Sequence, residues 1–224
     1  MAETIETGDT RILVSVEGHI ARLTVNRPEK LNALDFEMVL ALERAAHMID
    51  LHSHVRAVMM TGAGDKSFCA GGDIAAWSQL SPDDFGLQWV RHGHRAFDAL
   101  ARLRRPLIAV LNGHCLGGGL ELAVTADLRI AEEHVKIGLP ETGIGIIPGW
   151  SGTQRAVRRF GSQIVRRMAL TGEMFLAAEA ERLGMVDQVV AKGAGMAAAI
   201  ELANKICARG PKATTLSKLL INIA

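Results

Sequence analysis

Cysteine is scarce: Cys69, Cys115 and Cys207 are all that 224 residues contain. They are odd in number and far apart. They make neither a disulfide framework nor a CxxC metal site, and they suit a reducing compartment. An excess of charge of either sign is also missing, since 25 Lys and Arg face 24 Asp and Glu for a formal net charge of +1. That balance excludes nucleic-acid binding driven by bulk charge, though not a local basic patch. No apolar run approaches the ~18 residues of a membrane span. The N-terminus MAETIETGDT has neither the apolar core of a signal peptide nor the Arg-rich character of a transit peptide. Repeats, low-complexity tracts and linkers are absent. The expectation is a soluble, cytoplasmic protein with no nucleic-acid and no membrane partner. Apolar residues make up 49% of the chain, enough for the core of one large domain.

Alternating RILVSV (11–16) and HIARLTV (19–25) around Glu17-Gly18 predict a hairpin. Asp35 is the expected N-cap of a helix in which Val39, Leu42, Ala46 and Ile49 recur at helical spacing. VRAVMMTG (55–62) and PLIAVLNG (106–113) read as short buried strands, and LRIAEE (128–133) and MVDQVV (185–190) as further strands. A helix is expected from near Pro82 to Leu103, and a long irregular loop over 135–153. Short helices follow, two of them closed by Gly161 and Gly172, then one around Met196 to Cys207 and a last one from Lys212. The pattern divides into a mixed α/β core over residues 1–190 and the start of a helical region over 191–224.

Against this background LNGHCLGGGLELAV (111–124) is unusual. Glycine costs entropy on folding and adds no packing, so Gly117 to Gly119 imply a need for bare backbone. A strand, a glycine turn and a helix aim N–H groups outward. The turn alone is equally compatible with an anion pocket and with close packing of helix on strand. SFCAGGD (67–73) is a second glycine-rich loop behind a buried strand. Two such loops can place one N–H each on a single oxygen, as an oxyanion hole requires. Glu121 stands one turn past the triple glycine, where the helix dipole alone would favour a carboxylate. Glu141, in LPETG, is otherwise a solvated loop acid. If both face one pocket, they can hold a water and shuttle its protons.

NRPEKLNAL (26–34), SFCAGGDI (67–74), NGHCLGGGLELA (112–123) and LPETGIGIIPGWSGTQR (139–155) together resemble the enoyl-CoA hydratase/isomerase, or crotonase, family. The resemblance implies a crotonase-like spiral of ββα units with helices packed around it, assembled as a homotrimer or a dimer of trimers. It assigns the two oxyanion N–H groups to Ala70 and Gly118, the water-flanking acids to Glu121 and Glu141, and a backbone donor near that water to Gly149. It places Arg27, Lys30, Lys66, Gly71, Asp73 and Ile74 along the acyl-CoA. No metal or redox cofactor is required, and coenzyme A enters as part of the substrate. Hydration of a 2-enoyl-CoA to a 3-hydroxyacyl-CoA is the implied reaction. An isomerase of the same fold and a non-catalytic acyl-CoA- or RNA-binding member are the alternatives. The family pattern continues past the helix that begins near Lys212.

Other signals point to packing or solvent. GAGDKS lacks the glycine that a P-loop needs before its lysine, with Asp65 there instead. His92 and His94 read as surface histidines, and His114 and Cys115 as packing residues. RAVRRF and IVRRMAL read as solvated helical faces.

Overall fold

A computed structural model of the protein describes residues 3–223. Strands β1 (Glu3–Ile5), β2 (Ile12–Glu17) and β3 (Ile20–Val25) form an antiparallel meander, and Val16 pairs with Ala21 across the expected Glu17-Gly18 turn. The remaining strands are β4 (Ala57–Gly62), β5 (Ser67–Cys69), β6 (Leu107–Leu111), β7 (His114–Leu116), β8 (Leu128–Glu132), β9 (Lys136–Gly138), β10 (Met174–Leu176) and β11 (Gln188–Val190). They divide into a large sheet of order β1-β2-β3-β4-β6-β8-β11 and a small one of order β10-β9-β7-β5. β3, β4, β6, β8 and β11 run parallel. Three times a strand of the large sheet passes through a short turn into a strand of the small one: β4 to β5, β6 to β7 and β8 to β9. Helices then return the chain to the large sheet. That recurrence is the ββα spiral.

The central strands are buried along their whole length because both faces of the sheet are covered. Helix Phe36–Leu51, capped by the Asp35 carboxylate accepting from the Met38 N–H at 3.1 Å, presents Val39, Leu42, Ala46 and Ile49 to one core. Helix Gly195–Cys207 sets Ala199 and Ala203 on Met59, Ile108 and Ile130 of the opposite face.

The differences from expectation are local. The segment 135–153 is not wholly irregular, since it contains β9 and one 3-10 turn, Glu141–Ile144. The helix expected to end at Leu103 ends at Ala101 and contains a π-helical stretch, Phe85–Val90. β5, β7, β9 and β10 were not expected as strands. Each is three residues long, too short to show alternation.

Asn32 ties the β4–β5 region to the segment before helix Phe36–Leu51. It is fully buried, donates to the carbonyls of Ala63 (2.9 Å) and Ser67 (2.7 Å), and accepts from the Arg27 N–H at 2.9 Å. Replacing it by Ala leaves three buried backbone groups without partners, at ~1–3 kcal/mol each before relaxation. Asn32→Ala is expected to lower stability by about 3 kcal/mol, read as a reduced urea midpoint at unchanged slope.

Candidate active site

The glycine-rich stretch in β7 and the turn behind it has three separate tasks. Gly117 has φ +55°, and a Cβ there would lie 3.2 Å from an oxygen of Glu141. Gly118 opens helix Gly118–Ala123, so its N–H has no intrahelical acceptor. Gly119 is pressed on β5, where a Cβ would come within 1.9 Å of the Cys69 carbonyl oxygen. The two loops therefore touch, and a Cβ on Gly71 would stand 3.0 Å from the Gly118 nitrogen.

On the first loop the expected donor is already engaged. The Ala70 N–H donates to the Leu31 carbonyl at 3.1 Å. Gly72 bridges to Leu34 through its neighbours, whose groups make the bonds Leu34 N–H to Gly71 carbonyl and Asp73 N–H to Leu34 carbonyl. Among the described residues the Gly72 N–H has no acceptor, and Gly72 lines the same cavity as Gly118. Of the two glycine-rich loops, the amides without an acceptor among the described residues are thus those of Gly72 and Gly118, rather than Ala70 and Gly118.

That cavity, about 750 Å³, also holds both glutamates. Glu121 is 2% exposed and is wrapped by one backbone segment. Its Oε1 accepts from the N–H of Trp150 and of Gly152, each at 2.7 Å, and its Oε2 from the N–H of Gly149 at 3.2 Å. A Cβ at position 152 would lie 2.1 Å from the Glu121 Cγ, so the segment closes this tightly only with glycine there. Burial leaves the Glu121 carboxyl above its ordinary value, and the three N–H groups and the Arg155 guanidinium oppose that rise without cancelling it.

Glu141 has the opposite surroundings. It is 8% exposed, and neither carboxyl oxygen has a hydrogen-bond partner among the described residues. Burial pushes its carboxyl from the ordinary 4.5 to about 7; the nearby N–H of its own backbone pulls it partly back, and the charge of Glu121 adds a smaller upward push. Two acids held in one cavity by unlike surroundings divide into a base and an acid. The three donors favour the carboxylate form of Glu121, and the partnerless oxygens of Glu141 favour its protonated form.

Apolar and aromatic side chains close the rest of the cavity: Trp77, Phe85, Trp89, Ile144, Ile147 and Trp150. Trp150 packs with its ring centroid 5.0 Å from that of Trp89, tilted, and 4.9 Å from that of Phe97, edge to face.

The expected coenzyme contacts divide. Arg27 and Asp73 satisfy each other at 2.9 Å, and Asp73 also caps helix Ile74–Trp77. This largely buried pair joins two loops and is not available to a phosphate. Lys30 and Lys66 are exposed, line no part of the cavity and make no ion pair among the described residues. Gly71 and Ile74 line the cavity. Asp65, which stands where a P-loop needs glycine, pairs with Lys192 at 2.9 Å.

His94 is not a surface histidine. It lines the cavity with its Nδ1 2.6 Å from the Ser151 Oγ. No sequence signal marks this pair, because 57 residues separate its members. Gly72 was hidden for a different reason: the choice among adjacent amides depends on which already has an acceptor. Among the described residues no group of three His, Cys, Asp or Glu side chains is placed to hold a metal, and no helix is long and apolar enough to cross a membrane.

A sequence model of the enoyl-CoA hydratase/isomerase family matches residues 15–222. The chain belongs to this family. It is 40% identical over 211 residues to the short-chain-enoyl-CoA hydratase of Clostridium acetobutylicum, covering 94% of this chain and 80% of that one. To the crotonyl-CoA hydratase of Syntrophomonas wolfei it is 36% identical, covering 94% and 81%. The crystal structure of an enoyl-CoA hydratase from Bacillus anthracis superimposes with a TM-score of 0.91 at 34% identity, covering 95% of this chain and 83% of that one. The α/β spiral described above is therefore the crotonase fold.

The proton on Glu141 has a consequence for stability. Its folded pKa lies above the ordinary value, so the folded state binds this proton more tightly than the unfolded chain does. The stability so gained is complete below about 4.5 and is lost as the pH rises to about 7. Urea midpoints of the wild type are expected to fall more steeply over that window than those of Glu141→Gln, which has no proton to lose.

Proposed function

We propose that this crotonase is an enoyl-CoA hydratase, adding water across the 2,3 double bond of a 2-enoyl-CoA to give a 3-hydroxyacyl-CoA. The observation that carries the reading is the meeting of two differently held carboxyls and two unengaged amides in one cavity. The thioester carbonyl oxygen accepts from the N–H groups of Gly72 and Gly118. Polarisation makes the β-carbon electrophilic. Glu121, as carboxylate, takes a proton from a water, and that oxygen bonds to the β-carbon. The π electrons move to the thioester oxygen as an enolate, held by amides that need not reorganise as charge appears. Glu141 then delivers its proton to the α-carbon. The product leaves Glu121 protonated and Glu141 ionised, and exchange with solvent restores the pair. The Gly149 N–H, already on Glu121, fixes the oxygen of that carboxylate that lies beside the water.

This chemistry draws on no metal or redox group, and coenzyme A is a part of the substrate. Lys30 and Lys66 are the proposed partners of its phosphates, supported by their exposure and lack of carboxylate partners. A trimeric assembly and a cytoplasmic location belong to the same proposal. The exposed Leu170 and Leu176 support the former by offering apolar surface for subunit contact.

Hydration of crotonyl-CoA in ¹⁸O-labelled water tests the reaction: label must enter the product, which a double-bond isomerase would not achieve. Glu121→Gln and Glu141→Gln are each expected to lose ~10²–10⁴ in kcat, and near-full activity in either variant contradicts the two-acid mechanism. Lys30→Ala and Lys66→Ala are expected to raise KM about 3- to 10-fold at nearly constant kcat, with a weaker salt dependence than the wild type.

A further inference from the structure

Trp150 and Gly152 send their N–H groups to the same oxygen of Glu121, each at 2.7 Å. Two amides separated by one residue converge on one anion when the residue between them turns the chain left-handed. That residue is Ser151, at φ +65°, a conformation that a side chain with a Cβ rarely adopts. Such a conformation persists only where surrounding contacts over-determine it. One contact stands out. The Ser151 hydroxyl meets His94 Nδ1 at 2.6 Å, reaching across the cavity wall to helix Arg91–Ala101.

We propose that His94 and Ser151 are positioning residues, whose hydrogen bond locks the left-handed turn that aims the Trp150 and Gly152 amides at Glu121. The proposal rests on Glu121 being the general base. Neither residue touches the reacting atoms in this account. The turn has further tethers: Arg155 Nη1 donates to the Trp150 carbonyl at 2.8 Å, the Arg155 backbone N–H donates to the Ser151 carbonyl at 3.0 Å, and the Trp150 indole N–H donates to the Trp89 carbonyl at 3.3 Å, with the Arg155 guanidinium itself paired to Asp98. Arg155 holds the carbonyls of Trp150 and Ser151, whereas the His94 contact holds the Ser151 side chain. The ionisable groups facing Glu121 are Arg155, of opposite sign, Glu141, which carries like charge only once it has lost its proton, and His94 of the clamp itself. Loosening the turn removes N–H donors from a buried carboxylate, and Ser151→Ala does so with all three ionisable groups left in place. The Glu121 pKa must then rise, and the acidic limb of activity must move to higher pH.

The test compares kcat, KM and the pH dependence of kcat on crotonyl-CoA for the wild type, Ser151→Ala, Ser151→Gly, His94→Phe and the double variant His94→Phe/Ser151→Ala. Ser151→Ala and His94→Phe are each expected to lose about 10-fold in kcat, with KM within about 2-fold. Their acidic limbs should rise by ~0.5–1 pH unit. The double variant should be no worse than either single one, because both remove the same bond. Ser151→Gly should lose less than Ser151→Ala, since glycine adopts the left-handed turn without a clamp. Losses that multiply in the double variant, or acidic limbs that stay in place, overturn the proposal. If Ser151→Ala does not fold, His94→Asn and His94→Phe carry the comparison, and the asparagine variant is expected to recover part of the activity. A ¹³C NMR titration of the Glu121 carboxyl in the wild type and His94→Phe needs no turnover. An upward shift there with no hydration in the wild type would sink the proposed reaction and leave the clamp standing. No shift would sink the clamp whatever the reaction.

Discussion

The site depends on one buried carboxylate and the backbone that surrounds it. Glu121 sits in a helix of six residues, behind a glycine turn and almost without contact with solvent. An isolated carboxylate there would give up its charge to the low-dielectric interior. Three N–H groups from residues 149, 150 and 152 oppose that. Hydrogen bonds to a charged group contribute about 1.5–3 kcal/mol each, so together they offset part of a desolvation penalty of several kcal/mol, and burial still leaves the carboxyl above its ordinary value. The segment pays for this with a left-handed serine and a glycine that admits no side chain. The same charge then acts on Glu141, which has no donors, and helps to keep that acid protonated.

The scaffold supplies this arrangement through short strands. β5 and β7 are each three residues long, yet they are paired and fixed to the buried large sheet, and each leads directly into a loop with an unengaged amide. Gly119 against Cys69 sets how closely those loops approach. β9 pairs with β7 and delivers Glu141 to the cavity three residues after its last residue, Gly138. Rigid strands thus place the amides and Glu141, while the Glu121 carboxylate is gripped by a loop. Asn32 and the Arg27–Asp73 pair brace the loops from outside the cavity.

Much of this was legible in the sequence where local chemistry decides structure. The hairpin at Glu17-Gly18, the Asp35 cap and the fully apolar β4 and β6 follow from periodicity and composition. The two glycine loops and the two glutamates were recognisable as a constellation through resemblance. What could not be read depended on partners distant in sequence. Ala70 and Gly72 differ only in that one amide already has an acceptor in Leu31. Arg27 resembles a phosphate ligand until Asp73 is seen beside it. His94 resembles a surface residue until Ser151 arrives from 57 positions away. The three-residue strands carry too few side chains to show a period, and their identity comes from the neighbours they pair with.

The division of the two acids is the central claim, and infrared spectroscopy tests it most directly. At about pH 6, below the level to which Glu141 is raised, the account predicts a protonated-carboxyl stretching band in the wild type. That band should persist in Glu121→Gln, weakened by loss of the neighbouring charge, and disappear in Glu141→Gln. A band that vanishes instead with Glu121→Gln, or no protonated carboxyl at all, would contradict it.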